Sequence, residues 1–127
     1  MKLLLDTHAF LFAINPVEQL PARIQTLIED PQNERWVSTI TLWEIAIKVQ
    51  LKKLPLPSDQ IFYTNHLRLL QANLMQVETR HVFTLFDLPL HHRDPFDRML
   101  IAQAKAEGLT VITRDRIFAA YDVPVLW

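Results

Sequence analysis

DPFDRMLIAQA, Asp94 to Ala104, is the stretch from which the rest of the chain is best read. At about 100° per residue, Asp94, Asp97, Ile101 and Ala104 fall within about 80° of one another, so two carboxylates stand above the apolar stripe of a helix that faces a core. The local explanation is a good one. Asp94 serves as N-cap, Pro95 takes the first helical position where its missing N–H costs nothing, and Asp97 lies in the first turn, all favoured by the helix dipole. Gly108 closes the helix as its C-cap. Acids above an apolar stripe gain a second meaning only from the placement of the other acids.

Outside this stretch, 127 residues amount to a single domain, 1–127, long enough to bury a real core. Half the residues are hydrophobic and one is Gly, which fits a compact fold rather than a linker-rich chain. With no Cys there is no disulfide framework and no thiolate metal site. Asp6 and His8 interrupt the N-terminal segment where a signal peptide is apolar, and Glu44 and Lys48 break the longest apolar run, so a cytoplasmic protein without a membrane span is expected. A formal net charge of −1 argues against a broad nonspecific hold on nucleic acid. Any phosphate contact has to be local.

In chain order, Leu3 to Leu5 form a uniformly apolar run, the mark of a strand buried on both faces in a parallel sheet, and Asp6 comes directly after it. Thr7 opens a helix to Ile14, and a second helix runs from about Pro21 to Glu29. Arg35 to Thr39 reads as the next strand, with Thr41 starting a long helix that carries Glu44 in its first turn. KKLPLP, Lys52 to Pro57, is a loop, and Ser58 caps a helix reaching Leu70. Leu74 to Val77 forms a short strand and Val82 to Phe86 a short helix. Thr110 to Thr113 is a strand with Asp115 two residues beyond it, Ile117 to Tyr121 is a helical turn, and Val123 to Trp127 is an edge strand marked by Pro124. This alternation predicts an α/β sandwich around a mainly parallel sheet of four to five strands.

In that order Asp6, Glu44, Asp97 and Asp115 share the edge where ligand sites form in open parallel sheets, beyond the carboxyl ends of the strands. Each has a structural explanation of its own. Thr41 and Glu44 match a T-x-x-E capping box, and Asp6 and Asp115 can each cap the helical turn after them. Independent caps have no reason to gather on one edge. Two unit charges about 4 Å apart cost roughly 4 kcal/mol at an effective dielectric near 20, so such a group calls for shared protons or a cation. Oxygen-only donors select Mg²⁺ or Mn²⁺ over zinc, and such an ion suits phosphodiester hydrolysis.

LLLDTH near the N-terminus, STITLWEI, the helix DPFDRMLIAQA and the later VITRD resemble the four acidic motifs of PIN-domain ribonucleases, and HHRDPFDRMLIAQA is similar to the VapC-type toxins of toxin–antitoxin pairs. The resemblance spans nearly the whole chain. It implies a PIN-like three-layer α/β/α sandwich and an Mg²⁺- or Mn²⁺-dependent endoribonuclease with a cognate VapB-like antitoxin and a homodimeric assembly. Asp6, Glu44 and Asp97 then carry the principal metal-binding acids, Asp115 the more variable fourth, and Asp94 a supporting role. Thr7, Ser38 and Thr113 match small polar positions beside the acids. Arg93, Arg98, Arg114 and Arg116 flank the motifs and are candidates for holding RNA phosphates. His91 and His92 read as loop or capping residues, and Trp36, Trp43 and Trp127 as core or interface.

Two other classes fit parts of the pattern. A phosphoacceptor or phosphatase domain also presents Asp6 after a first strand, but a haloacid-dehalogenase-like site wants a second Asp where this chain has His8. A catalytically idle binding module on the same fold shares every ligand and differs only in turnover.

Overall fold

The computed structural model describes every residue except Pro16 and Glu18. Leu3, Leu4 and Leu5 have no exposed surface, as a strand covered on both faces requires. They belong to β1 (Lys2–Leu5), the centre of a sheet completed by β2 (Glu34–Ser38), β3 (Ala72–Met75), β4 (Thr110–Ile112) and β5 (Val125–Leu126) in the order β3-β2-β1-β4-β5. All four pairings are parallel. The expected edge position of the last strand holds: β5 pairs with β4 alone, and the Pro124 carbonyl accepts from Val111 N–H at 2.8 Å.

Alternation along β1 divides the core. Leu3 and Leu5 face a layer built from Phe10 and Ile14 of α1 (Thr7–Ile14), Ile24 and Ile28 of α2 (Ala22–Glu29), Ile45 of α3 (Thr39–Gln50) and Leu67 of α4 (Gln60–Leu69). Leu4 faces the other layer, where Leu100, Ile101 and Ala104 of α6 (Pro95–Glu107) pack with Phe118 and Tyr121. In chain order α5 (Thr79–Thr84) and a 3-10 turn, Leu85–Asp87, come between β3 and α6. The result is a three-layer α/β/α sandwich. Burying a side chain such as Leu4 or Phe118 contributes roughly 1.5–3 kcal/mol, so the strand–helix layers hold the sheet edge in place. No helix among the described residues is long and apolar enough to cross a membrane.

Three local expectations are corrected. The long helix α3 starts at Thr39, not Thr41, because Ser38 is its N-cap, the Oγ accepting from Ile40 N–H at 3.1 Å. Glu44 is thereby its sixth residue, in the second turn, and the Thr41/Glu44 capping box does not form. Helix α4 is capped by Asp59, whose carboxylate accepts from Ile61 N–H at 2.9 Å, rather than by Ser58. Strand β3 lies at Ala72–Met75, two residues earlier than expected, since its register is set by pairing with β2 from Arg35↔Ala72 to Ser38↔Met75.

Candidate functional site

Parallel register lines up three strand ends. Leu5 pairs with Val37 on one side and Ile112 on the other, so Asp6, Ser38 and Thr113 come after these three residues of β1, β2 and β4 at one level. Each is buried. Asp6 is the N-cap of α1, its Oδ1 accepting from Ala9 N–H at 2.7 Å. Burial pushes its carboxyl above the ordinary carboxylate range, with Glu44 adding to the effect, while the Thr113 hydroxyl and Ala9 N–H oppose it. Thr113 also accepts the Asp115 N–H at 3.0 Å, tying the first acid to the fourth. Asp115 in turn caps the 3-10 helix Arg116–Tyr121 through Ile117 N–H at 2.9 Å. The caps anticipated for Asp6 and Asp115 are present, on an edge they share.

Glu44 has no cap to explain it. It is 6% exposed, and its two oxygens are held separately: Thr7 Oγ1 donates to Oε1 at 2.9 Å and Lys48 Nζ lies 2.6 Å from Oε2. A glutamate buried this way on an apolar helix costs free energy unless its charge is used or answered, and Lys48, one turn on, answers it in part. The Ser38 hydroxyl makes no hydrogen bond to an acid among the described residues and acts as the cap of α3.

On α6, Asp94 is the N-cap predicted from the sequence, its Oδ1 accepting from Phe96 N–H at 2.8 Å and Asp97 N–H at 3.1 Å, with Pro95 first in the helix and Gly108 left-handed at φ 67° at its end. Asp97 is pushed up to about 7, first by burial and then by the negative charges of Asp94, Glu44 and Asp6, against the opposing effect of His92. Acids from three elements therefore act on one carboxyl. A cavity of about 530 Å³ lies against the loop before α6, lined by His92, Arg93, Pro95 and Arg98 among others and by none of these acids.

His92 is the site residue that sequence reasoning set aside. Its Nδ1 accepts the Asp94 N–H at 3.1 Å, which leaves the ring proton on Nε2. That atom lies 2.8 Å from Asp115 Oδ2 and 3.1 Å from Asp97 Oδ2, so one N–H bridges two acids 18 residues apart in sequence. Its backbone N–H donates to the Tyr121 hydroxyl, and Phe118 packs against the ring edge at 5.9 Å. His92, Asp97 and Asp115 offer ligating atoms within 4.8 Å of one another, a grouping found nowhere else among the described residues. Asp6 and Glu44 stand outside this tightest group and reach Asp97 through their charge. The available sequence signal was position: a His two residues before a capping Asp, where an N–H is presented to its ring.

The four flanking arginines divide. Arg98 is occupied, its guanidinium donating to the Pro89, Leu88 and His92 carbonyls and the Tyr121 hydroxyl, so it holds the loop before α6. Arg93, Arg114 and Arg116 are exposed, and Arg114 lies over the Phe12 ring at 5.1 Å. Trp43, expected in the core or an interface, is 58% exposed and meets Phe96 edge-on at 5.1 Å.

Comparison with solved structures places the fold among toxin–antitoxin complexes. VapBC2 of Rickettsia felis, bound to a fragment of its promoter DNA, is 18% identical with a TM-score of 0.72 over 100% of this chain and 99% of that one. DNA-bound VapBC of Salmonella typhimurium is 18% identical with a TM-score of 0.73 over 99% and 97%. FitAcB of Neisseria gonorrhoeae is 24% identical with a TM-score of 0.64 over 98% and 96%. The comparison with curated proteins gave no match. The PIN domain family model matches residues 3–124, nearly the entire chain. Its sequence and its sheet-edge acids thus agree on one placement: the chain belongs to the PIN-domain family, a family of nucleases.

Proposed function

We propose that this chain is a divalent-metal-dependent endoribonuclease and the toxin of a toxin–antitoxin pair. The observation that carries the reading is the gathering of acids at one sheet edge, where Asp97 and Asp115 face a single His92 Nε2 at 3.1 and 2.8 Å and where burial, Asp94, Glu44 and Asp6 push the Asp97 carboxyl up to about 7. Buried like charges of this kind are relieved by a cation. The donors fit Mg²⁺ or Mn²⁺: carboxylate oxygens of Asp6, Glu44, Asp97 and Asp115, with no thiolate in the chain. When bound, such an ion activates water and stabilises the leaving oxygen of a phosphodiester.

The remaining side chains set up the acids. Thr7 orients Glu44, Thr113 orients Asp6, and the Nε2–H of His92 holds the facing oxygens of Asp97 and Asp115. With its ring proton on Nε2, His92 is a donor to the ligands rather than a ligand. Asp94 supports the site by fixing both the first turn of α6 and the His92 ring. Arg93, Arg114 and Arg116, exposed around the acids, are suited to phosphate oxygens.

For the partner, several of the similar solved structures are toxin–antitoxin complexes, and a VapB-like antitoxin is proposed here on that likeness. A groove of about 420 Å³ between α3 and α4, lined by Leu42, Ile45, Val49, Tyr63, Leu67 and Leu74, suits the apolar face of an antitoxin helix. The toxin is proposed to be a homodimer acting in the cytoplasm. Purified protein is expected to cut RNA in Mg²⁺ or Mn²⁺, leaving 5′-phosphate and 3′-hydroxyl ends, and to stop in excess chelator. Undiminished cleavage in chelator, or cyclic phosphate ends, contradicts the metal reading. Metal binding without cleavage of any RNA favours an idle binding module instead.

A further inference from the structure

Between α1, the C-terminal end of α3 and the turn after β4 lies a second cavity, of about 360 Å³, whose lining includes His8, Lys48, Lys53 and Arg114 and no acid. Lys48 is answered by Glu44, and Lys53 and Arg114 leave two exposed cations on a lining without an acid, in a chain of net charge −1. Cations near a helix C-terminus answer its dipole, which accounts for Lys48 in the last turn of α3 and for Lys53 just beyond it. That account does not reach His8 or Arg114, which come from α1 and from the turn before Asp115. Three walls of the cavity are also contiguous with the acids: His8 is two residues after Asp6, Arg114 adjoins Asp115, and Lys48 is bound to Glu44 at 2.6 Å.

The Arg114 guanidinium lies over the Phe12 ring, 5.1 Å from its centroid, and Phe12 is itself part of the wall. Cation–π attraction holds the guanidinium there without using its N–H donors, which remain for two phosphate oxygens. We infer that this cavity seats a backbone phosphate of single-stranded RNA next to the phosphate that is cut. The inference rests on the nuclease reading above and adds where the strand lies. A strand crossing four carboxylates is repelled by them, and an adjoining cationic cavity offsets that repulsion where a detached anion has no need of the continuity. The volume falls within the roughly 300–1,000 Å³ of ligand sites, more room than one phosphate ion fills.

The test is fluorescence anisotropy of a labelled short single-stranded oligoribonucleotide, titrated in chelator across a salt series. Lys53→Ala and Arg114→Ala are each expected to weaken binding several-fold and to reduce the slope of log affinity against log salt by about 0.7 per lost contact. The control, Lys2→Ala, lies at the opposite end of β1 and is expected to change neither. All three residues are exposed, and unchanged melting midpoints verify the folds. Inorganic phosphate is expected to compete poorly, and competition at the oligonucleotide's own concentration overturns the strand assignment. Wild-type affinity and slope in both cavity variants, with wild type binding and cutting RNA, overturns the inference and leaves the nuclease reading intact. Wild type that neither binds nor cuts any RNA overturns both. Variants that lose an acidic protein partner but keep RNA assign the cavity to that partner instead.

Discussion

His81 and His92 are wired alike. Each accepts a backbone N–H on Nδ1, from Glu78 at 3.0 Å and from Asp94 at 3.1 Å, and each turns Nε2 toward a carboxylate, Glu107 at 2.7 Å and Asp115 at 2.8 Å. Their surroundings differ. Glu107 is also met by Arg80 Nη2 at 2.5 Å, so around His81 the negative charge has a permanent cation. His92 faces a second carboxylate, Asp97, that other acids repel and that no Lys or Arg contacts among the described residues. The same ring geometry therefore serves as a closed fastening between α5 and α6 in one place and as a bridge over an unbalanced cluster in the other. Charge balance, not the histidine, separates scaffold from candidate site.

The comparison breaks first at Asp97. Asp97→Asn is expected to take RNA cleavage below detection while raising the midpoint of thermal melting in chelator. The direction with pH is set by its carboxyl standing near 7 in the fold against an ordinary 3.8. The folded state holds the proton more tightly, so Asp97 favours folding fully below about pH 4 and loses that contribution as pH rises toward about 7. Metal-free wild type should lose on the order of 1–3 kcal/mol across that window relative to the variant, read from melts at several pH values. A variant that melts lower than wild type near pH 8 and still cuts RNA returns Asp97 to the role of a first-turn helix residue.

His92→Ala comes next, with cleavage expected to fall about 10–100-fold through loosened acids, and His92→Gln, which keeps an N–H, to recover part of it. His81→Ala is expected to do the converse. It removes a fully buried ring that fastens α5 to α6 and leaves the Glu78 N–H without its acceptor, costing about 1–3 kcal/mol in denaturant melts, with cleavage per folded molecule unchanged. Equal losses of activity in the two variants would erase the distinction between them. The smallest effect is at Ser38: Ser38→Ala should cost about 0.5–2 kcal/mol as a lost cap and leave cleavage near wild type.

These contrasts also mark what a reader of the sequence is able to see. The buried run Leu3 to Leu5, the Asp94 cap, Pro95 and the Gly108 stop are local signals, and the structure repeats them. The start of α3 was not legible, because Ser38, Thr39 and Thr41 are all competent caps and Thr41 with Glu44 imitates a capping box. What selects Ser38 is the parallel register that sets it level with Asp6, a nonlocal fact. His92 is indistinguishable from His91 in composition, and only the arrival of Asp115 from beyond β4 separates them. Arg98 reads as a free cation beside an acidic motif, and it is the loop folding back that supplies its carbonyl partners.

The central claim, that the sheet-edge acids form a metal site, is tested most directly by thermal melts of wild type and Asp97→Asn in chelator and in Mn²⁺ or Mg²⁺. Because an ion held by these acids binds the folded state, adding it is expected to raise the wild-type midpoint and to leave the variant nearly unmoved. A wild-type midpoint that does not respond to either ion, or a variant that responds as strongly as wild type, contradicts the account.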